Sequence, residues 1–359
     1  MKPSLFKQRI MTLAVVLATV SLTAAAEEVT KDFHKEFTPG PNSTLSITNK
    51  FGDVVTETWA ENRIVVDVKV TVEQGSAEKA QKLLQMITVN FAESGSDFSA
   101  ETVFDNDFSS VHWGNNNHFS IDYSIKMPAN VNLNIVNKYG NADIDDMTSR
   151  VSVDIKYGNL YADNLTRGNE KPLNEFSVAY GKAEIQELSW GKIEARYCGQ
   201  FSIDKATALA IESKYSKFTI GEASSVVCES KYDNYSLQNV ANFVAEGGYT
   251  NFSISSVAKK IDVTTKYGNL IVDQVPATFK SIDVTASYCT VKLGIDKNAC
   301  YNLKAESKFG GIKLDDSNFE AQTRIIGNTS SEISGVSGKC KNPESAVNIT
   351  TSYGSATLY

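Results

Sequence analysis

The stretch VSVDIKYGNLYAD, residues Val151–Asp163, decides the fold of this 359-residue chain. Close variants of it return about every 17 to 21 residues over much of the sequence, among them NIVNKYGNADI, IESKYSKFTI, VTTKYGNLIV, KAESKFGGIKL and TTSYGSATL. Self-similarity at a short and nearly fixed period is typical of repeat proteins whose units stack along one axis.

One aromatic residue marks each copy of the repeat. Phe51 is an outlying first copy, and Ile326 is interpreted as a degenerate one. The other marker residues are Tyr139, Tyr157, Tyr180, Tyr197, Tyr215, Tyr232, Tyr249, Tyr267, Tyr288, Phe309 and Tyr353. We expect them to form a structural aromatic ladder inside the protein, in which each buried hydroxyl needs a hydrogen-bond partner.

Residues on either side of the aromatic alternate between apolar and polar. Apolar residues lie four positions before it, as at Val153, and three and five positions after it, as at Leu160 and Ala162. Alternation with period two indicates strands that bury one face. Gly158-Asn159 follows the aromatic, and because Gly and Asn tolerate positive φ, the bend is predicted there. Each copy is therefore interpreted as one coil of two or three short strands, stacked about 4.8 Å from the next by parallel pairing.

The predicted fold class is all-β: a single-stranded parallel β-helix, or β-solenoid, of about 17–21 residues per coil with a small α+β amino-terminal cap. A right-handed solenoid is expected, because β-crossovers strongly prefer that hand. The predicted organisation is a signal peptide over residues 1–26, a first coil with the cap insertion over 27–130, and parallel β-helix repeats over 131–359.

Two rows of charge are expected on the outside of the stack, acidic three positions before the aromatic and basic one position before it. The acidic row is Glu194, Glu212, Glu229, Glu246 and Glu306; the basic row is Lys138, Lys156, Arg196, Lys214, Lys231, Lys266 and Lys308. Adjacent rows of opposite sign offset the repulsion within each row, although exposed pairs contribute only about 0–1 kcal/mol each. The rows are typical of a solvated face; a ligand-binding stripe is the alternative interpretation.

Residues 1–26 have the organisation of a signal peptide. Three basic residues precede the apolar run 11–22, and Ala24–Ala26 offers a small-residue cleavage site before Glu27. Loss of those three basic residues changes the formal net charge from -7 to -10, and an acidic chain is a poor candidate for nucleic-acid binding. We expect an exported protein of the periplasm or cell surface, with no transmembrane segment in the mature chain.

The repeat is interrupted between Phe51 and Tyr139. In this segment 64–72 alternates as a strand, Ser76 is a candidate helix N-cap, 77–87 carries a helical apolar stripe, and 98–104 and 119–127 are further strand candidates. The segment is predicted to be the α+β cap, because an open solenoid end exposes unpaired backbone groups.

The five cysteines include at least one without an intramolecular partner. Cys198 and Cys289 hold equivalent positions five coils apart, about 24 Å, which is beyond the reach of a disulfide. Cys228 lies at an inward position and is interpreted as a small buried hydrophobe. Cys300 and Cys340 lie in inserts that leave the period, where flexible loops could close a disulfide.

The sequence offers no recognisable catalytic constellation: it lacks G-x-S-x-G, H-E-x-x-H and C-x-x-C. No catalytic, metal-ligating or cofactor-binding residue is therefore assigned, and no cofactor is expected. The loop 109–118, with His112, Trp113 and His118, could contact a metal or a sugar but has the composition of a disordered polar loop. Asp145 and Asp163 share one outward position in adjacent coils and are interpreted as solvated residues beside a turn.

The opening NKFGDVV, the strand–helix–strand excursion and the later KYGNL coils resemble the putative adhesin family of exported bacterial proteins. That family is a domain of unknown function related to the auto-transporter adhesin head domain. The resemblance covers most of the chain after residue 26 and implies a β-solenoid fold with a surface or envelope role. It transfers no catalytic residue.

The predicted function is that of a non-enzymatic, adhesin-like binding or scaffold protein of the cell envelope. Its partner is unknown; a polysaccharide or another envelope protein would suit an extended surface of repeated side chains. One alternative is a carbohydrate-active enzyme, a polysaccharide lyase or glycosidase, which requires acids from neighbouring coils to converge in a groove. Another is a periplasmic partner of an envelope sensory or membrane system.

Overall fold

The computed structural model describes residues 27–110, 118–315, 317, 319–340 and 342–359. The predicted signal peptide and residues 111–117 of the polar loop, including His112 and Trp113, lie outside the described residues. The described chain is all-β, with 69% of residues in strands and 4% in helices, and its strands form one large mixed sheet. No helix among these residues is long and apolar enough to cross a membrane.

The amino-terminal part contains seven strands and one helix. In chain order they are β1 (Glu27–Phe37), β2 (Thr44–Lys50), β3 (Val54–Thr58), β4 (Ile64–Gln74), α1 (Ala77–Gln85), β5 (Ile87–Ser94), β6 (Asp97–Phe104), a 3₁₀ turn (Asn106–Ser110) and β7 (His118–Met127).

Coils follow from β8 onward, and several of their strands run unbroken from one corner of a coil to the next. The strands are β8 (Asn132–Lys138), β9 (Ala142–Ile144), β10 (Val151–Lys156), β11 (Leu160–Leu165), β12 (Asn174–Ala179), β13 (Lys182–Arg196), β14 (Gln200–Lys214), β15 (Lys217–Lys231), β16 (Asn234–Gly248), β17 (Asn251–Lys266), β18 (Asn269–Val275), β19 (Ser281–Ser287) and β20 (Thr290–Ile295). The carboxyl-terminal strands are β21 (Tyr301–Lys308), β22 (Gly311–Lys313), β23 (Phe319–Ile326), β24 (Ser330–Ser337), β25 (Ser345–Ser352) and β26 (Ser355–Leu358).

The coils stack by parallel pairing on two faces. The leading face consists of the strand segments that precede each aromatic residue, as in β2, β8, β10, β12 and the end of β13. The trailing face consists of the segments that follow it, as in β3, β9, β11 and the start of β13. Pairing is in register over most of each ladder, so equivalent residues of successive coils form columns.

Each coil turns from the leading to the trailing face at its aromatic residue. At all twelve aromatic positions φ lies between 53° and 69°, in the left-handed region. The predicted bend at the following Gly-Asn pair and the predicted interior position of the rings are both wrong. In a continuous strand the aromatic would point inward like the residue two before it; the left-handed turn reverses that alternation. The ring therefore lies outside, and the next residue points inward.

Glycine after the aromatic is required where two coils approach closely. A Cβ built on Gly158 would lie 1.8 Å from the carbonyl oxygen of Gly140, and one on Gly140 would lie 1.8 Å from that of Gly52. In five other coils the position holds a small residue whose side chain is buried in the core: Cys198, Ser216, Asp233, Thr250 and Cys289. The same corner thus exists in two forms, and the residue after the aromatic distinguishes them.

The core between the two faces packs large columns against small ones. Phe201, Phe218, Tyr235 and Phe252 form an interior aromatic stack with ring centroids 4.7–5.4 Å apart. Small residues precede the corners there, and a Cβ on Gly247 would lie 2.8 Å from the Phe252 ring. Because buried side chains pack at near-crystalline density, the large column depends on the small one.

The cap closes the amino-terminal end of the stack. Strands β1, β4 and β7 pair antiparallel, and β7 continues parallel onto β3. Strands β5 and β6 form a hairpin whose second strand pairs parallel with β2. Helix α1 packs on this sheet through Leu83 and Leu84, and the predicted N-cap is confirmed: the Ser76 side chain accepts a hydrogen bond from the Lys79 backbone N–H. The first coil is thus covered instead of presenting an open edge.

The carboxyl-terminal coils are not stacked in sequence order. Strand β25 lies between β19 and β21 and pairs parallel with both, so the last coil of the chain is inserted before the preceding one. The outer edge of β21 is covered by the antiparallel hairpin of β23 and β24. Ile326 ends the first strand of that hairpin, so its interpretation as a degenerate coil is wrong. The sequence predicts no cap at this end of the stack.

The cysteines divide into two groups. Cys300 and Cys340 are joined by a disulfide, with Cα atoms 6.2 Å apart, across the base of the hairpin. Cys198, Cys228 and Cys289 are buried thiols. Burial raises the pKa of the Cys228 and Cys198 thiols, which keeps them protonated and unreactive near neutral pH.

We predict a thiol count that follows this division. Native protein should show no rapidly reacting thiol with a colorimetric disulfide reagent, because the three free cysteines are buried. Denaturation without reductant should expose these three, and denaturation after reduction all five. Five reactive thiols in the unreduced, denatured protein would show that Cys300 and Cys340 are not bonded.

Gly158→Ala should destabilise the stack by about 1–3 kcal/mol, because the new methyl group would overlap a carbonyl oxygen of the neighbouring coil. Gly199→Ala is the matched control, since a Cβ there meets nothing within 4 Å. Chemical denaturation of the two variants compares them directly. Equal midpoints would contradict the close approach of the coils at Gly158.

Candidate functional site

A continuous ladder of aromatic rings runs along the outside of the stack. Neighbouring rings are stacked with centroids 4.7–5.1 Å apart and interplanar angles of 3–19°. Its ten tyrosines and Phe309 are between 37% and 55% exposed. The predicted residues are all in the ladder, but their order follows the inserted coil: Tyr288, Tyr353 and then Phe309. Twelve rings at the spacing of paired strands span roughly 50 Å.

The ladder balances a conformational cost against cross-coil contacts. A left-handed residue other than glycine costs roughly 1–2 kcal/mol, and a stacked aromatic pair contributes about 0.5–1.5 kcal/mol. The backbone at the corner is also anchored: the Tyr157 N–H donates to the Ala179 carbonyl and the Tyr215 N–H to the Lys231 carbonyl, at 2.9 and 3.1 Å. Each aromatic is therefore held by its neighbours above and below.

A row of cations lies beside the ladder on the leading face. The Nζ atoms of Lys50, Lys214 and Lys266 lie 4.7, 5.4 and 5.0 Å from the centroid of the next residue's ring. Lys156 lies within 6.0 Å of two successive rings. At exposed sites such contacts contribute about 0.5–1 kcal/mol, so the predicted basic row and the ladder form one chemical surface.

The predicted acidic row is the next column on the same face. Registers join Glu194, Glu212, Glu229 and Glu246 in consecutive coils, whereas Glu306 is separated from them by threonine-bearing coils. We call this surface, made of the ladder with the basic and acidic rows, the ladder face. Its charged side chains lie outside, as predicted, and are exposed or half-buried; no buried carboxylate or metal-like cluster lies within it among the described residues.

The ladder face presents ring edges and hydroxyls, not ring faces. Both faces of an internal ring are covered by its neighbours at stacking distance. Because a sugar stacks on the face of an aromatic ring, the ladder does not offer that contact along its length. What it offers is a regular array of phenol hydroxyls, ammonium groups and carboxylates.

A buried carboxylate lies directly behind the ladder. Asp233, the residue after Tyr232, accepts hydrogen bonds from the hydroxyls of Ser213 and Ser230 at 2.7 and 2.6 Å and from the backbone N–H of Ser216 at 2.6 Å. Buried charges persist where such donors surround them. The Asp233 network therefore fixes the corner and is not available to a ligand.

A groove of about 210 Å³ crosses the leading face over β8, β10, β12 and β13. Three carboxylates from successive coils line it, Asp154, Glu175 and Glu194. Glu175 is ion-paired with Arg150 at 2.9 Å and Glu194 with Lys192 at 3.5 Å. A glycosidase general acid must stay protonated, and a neighbouring cation favours the ionised form instead. Of the three carboxylates, Asp154 alone has no such ion pair among the described residues, so it is the one candidate for this role in the groove.

The remaining polar clusters are surface networks. Carboxylate oxygens of Asp145, Asp146 and Asp163 lie within 4.8 Å of one another, and Asn164 donates to Asp146 through its backbone and side chain. On the cap, the Asp67 carboxylate 2.6 Å from the exposed His34 ring raises the pKa of that imidazole. His118 is the first residue of β7.

One signal in the sequence could have placed the ladder outside. Tyr holds ten of the twelve marker positions and Phe only two, Phe51 and Phe309. An interior column would favour residues without a hydroxyl that needs a partner, as in the true interior stack, which holds three Phe and one Tyr. The residue after the aromatic is glycine or a small residue in every copy, which also indicates that this residue points inward and that the ring lies outside.

No protein-family model matches the chain, and no curated protein matches it in sequence. Among solved structures, it is similar to a putative cell adhesion protein from Clostridium sporogenes, at 13% identity over 92% of this chain and 99% of that chain, with a TM-score of 0.20. It is also similar to putative adhesins from Bacteroides fragilis and Parabacteroides distasonis, at 8% and 10% identity over 92% of this chain and 97% of each, with TM-scores of 0.27. These names agree with the family resemblance in the sequence, but superpositions at such TM-scores carry no argument about shared function.

Substitutions of Tyr232 should separate ring stacking from backbone strain. Tyr232→Phe keeps both stacks and should leave stability within about 0.5 kcal/mol of the parent. Tyr232→Ala loses two stacks at 4.8 Å and keeps the left-handed strain that the parent also has, with an expected cost of about 1–3 kcal/mol. Tyr232→Asn loses the stacks but tolerates the left-handed conformation, so it should fall between them.

Urea denaturation followed by circular dichroism measures this order. An Ala variant as stable as the parent would mean that the stacks contribute nothing. An Asn variant no more stable than Ala would mean that the positive φ carries no strain.

Proposed function

We propose that this protein is a non-enzymatic, adhesin-like binding or scaffold protein of the bacterial cell envelope, and that the ladder face is its binding surface. The observation that carries the proposal is the ladder itself: twelve stacked rings in register, eleven of them exposed, beside two charged rows. A polar array of this length matches an extended partner better than a small molecule, which requires a concave and largely apolar pocket. Export follows from the expected signal peptide.

The architecture proposed for this role is a single-stranded parallel β-helix with a small α+β cap at its amino end. The in-register parallel ladders on both faces support it. Such a stack is stiff along its axis because each coil contacts only its neighbours. A stiff axis keeps the ladder face straight enough to engage a long partner at many points.

A macromolecular partner of protein type suits the ladder face best. Long polysaccharides remain a candidate class, but their usual stacking contact with aromatic ring faces is blocked by the neighbouring rings. Paired rows of opposite charge favour a partner with complementary rows, since charge complementarity sets register and specificity. A periplasmic component of an envelope sensory or membrane system would meet the same requirement.

A carbohydrate-active enzyme is the second candidate, and the groove lined by Asp154, Glu175 and Glu194 favours it. A depolymerase should lower the viscosity of an acidic polysaccharide such as alginate or polygalacturonate. Asp154→Asn should abolish this activity, whereas Asp204→Asn on the trailing face should not. Equal viscosity with and without the protein would remove this candidate for the polymers tested.

Site-specific photo-crosslinking in intact cells tests the binding surface. A photoreactive phenylalanine analogue replaces Tyr232 or Tyr249 on the ladder face, or Ser236 or Ser253 on the trailing face as controls. Crosslinked products of defined mass are expected from the ladder positions alone. Products from both faces alike, or from neither, would contradict the proposed surface.

Protease shaving of intact cells supplies the location. Cleavage while a periplasmic control survives would place the protein on the cell surface and support adhesion. Survival until the outer membrane is broken would overturn the adhesin part of the proposal, leaving the scaffold role in the periplasm.

A further inference from the structure

We infer that the partner of the ladder face is a second copy of this chain, bound side by side with its stack axis parallel and pointing the same way. The inference rests on the proposed function, because it names the partner of the surface assigned there. It is carried by the order of four columns on that face.

The four columns lie side by side in the central coils. Along β15 the outward residues are Val227, Glu229 and Lys231, followed by Tyr232 at the corner. In β14 the equivalent columns hold Ala210 and Glu212, in register with Val227 and Glu229. In these two coils the order is therefore apolar, acidic, basic and aromatic. The apolar column continues to Val244 and is bounded by Lys192 and Asp262, and the basic column is interrupted at Gly248.

These groups are not satisfied within one copy. Among the described residues, Glu212, Glu229 and Lys231 have no ion pair within 4.0 Å. Val227 is 47% exposed in the middle of the face. An isolated chain thus leaves an apolar column and two charged columns to solvent.

A two-fold axis parallel to the stack satisfies all four columns at once. When this axis lies between the acidic and basic columns, each coil of one copy faces the same coil of the other copy. The order of the columns in the second copy is then reversed relative to the first. The acidic column then faces the partner's basic column, the basic column faces the acidic one, and Val227 faces the partner's aromatic column. Such an interface is isologous and closes at two copies.

A face-to-face dimer about the other possible two-fold axis would place like charges opposite each other. An axis that runs along the strands would set each column against its own counterpart, placing Glu212 and Glu229 opposite carboxylates. Like charges in apposition cost several kcal/mol in an interface. The column order therefore selects the parallel arrangement.

The remaining coils agree with this choice. The acidic and basic positions carry opposite charges in five of the twelve coils, and in the other seven at least one of them is neutral. No coil would set like charges against each other at these positions. Four columns that together span about 17 Å, over eight coils of about 4.8 Å, give roughly 650 Å² per copy, which is within the range of specific interfaces.

Reciprocal charge reversal tests the inference on the purified protein. One variant carries Glu212→Lys and Glu229→Lys, and the other carries Lys214→Glu and Lys231→Glu. The control Asp204→Lys with Glu222→Lys reverses two charges on the trailing side. Masses are measured by sedimentation velocity at about 50 mM and about 500 mM NaCl, with circular dichroism to verify folding.

The parent and the control should be dimers at low salt, with the dissociation constant raised at least about tenfold at high salt. Each reversal variant alone should be monomeric, because acidic columns would face acidic ones or basic would face basic. Their mixture should form a heterodimer. That rescue cannot come from misfolding, and it identifies the columns that pair.

Three outcomes would overturn the inference: a monomeric parent at about 100 µM, a dimer unaffected by either variant, or open assemblies beyond two copies. The photo-crosslinking experiment distinguishes failure of the dimer inference from failure of the proposed function. Ladder-specific products at twice the chain mass support both, ladder-specific products of another mass support only the proposed function, and absence of ladder-specific products contradicts the proposed function itself.

Discussion

The structure depends on one local constraint, a left-handed residue at the corner of every coil. Parallel strands pair at a fixed spacing, so a corner that turns by a left-handed step in one coil must do so in the next. An aromatic residue in this conformation is costly on its own. It becomes tolerable because its ring stacks on the rings above and below and because its N–H continues the hydrogen-bond ladder through the bend. The corner is thus stabilised cooperatively.

The corner also decides what lies behind it. The residue after the aromatic points inward, where glycine permits backbone contact between coils and a small residue adds a buried group. At Asp233 this inward position holds a fully buried carboxylate, which is accommodated because two hydroxyls and backbone N–H groups donate hydrogen bonds to it. The interior aromatic stack then fills the space that the small residues before the corner leave open. Outside, the same turn places on the surface an aromatic ladder that the alternation pattern assigns to the core.

Strands outside the repeat cover the amino end of the stack on both faces and the carboxyl end on the leading face. At the amino end β4 and β7 interrupt the coils and cover the first of them. At the carboxyl end the β23–β24 hairpin covers β21, while the final strand pair is inserted one coil earlier. Covering these strands of the terminal coils reduces the number of unpaired backbone groups at the ends.

The sequence by itself determined the all-β class, the positions of the repeat, the helix beginning after Ser76 and the charged rows, because these depend on periodicity and on local capping. It also identified every residue of the ladder. Only the tertiary structure decided that the rings lie outside, since their direction depends on the sign of one φ angle that no alternation pattern encodes. The order of the last coils could not be predicted from the sequence either, because adjacency along the chain does not reveal that β25 pairs between β19 and β21. Local chemistry therefore specified each coil, and long-range strand pairing specified their order and the surface they share.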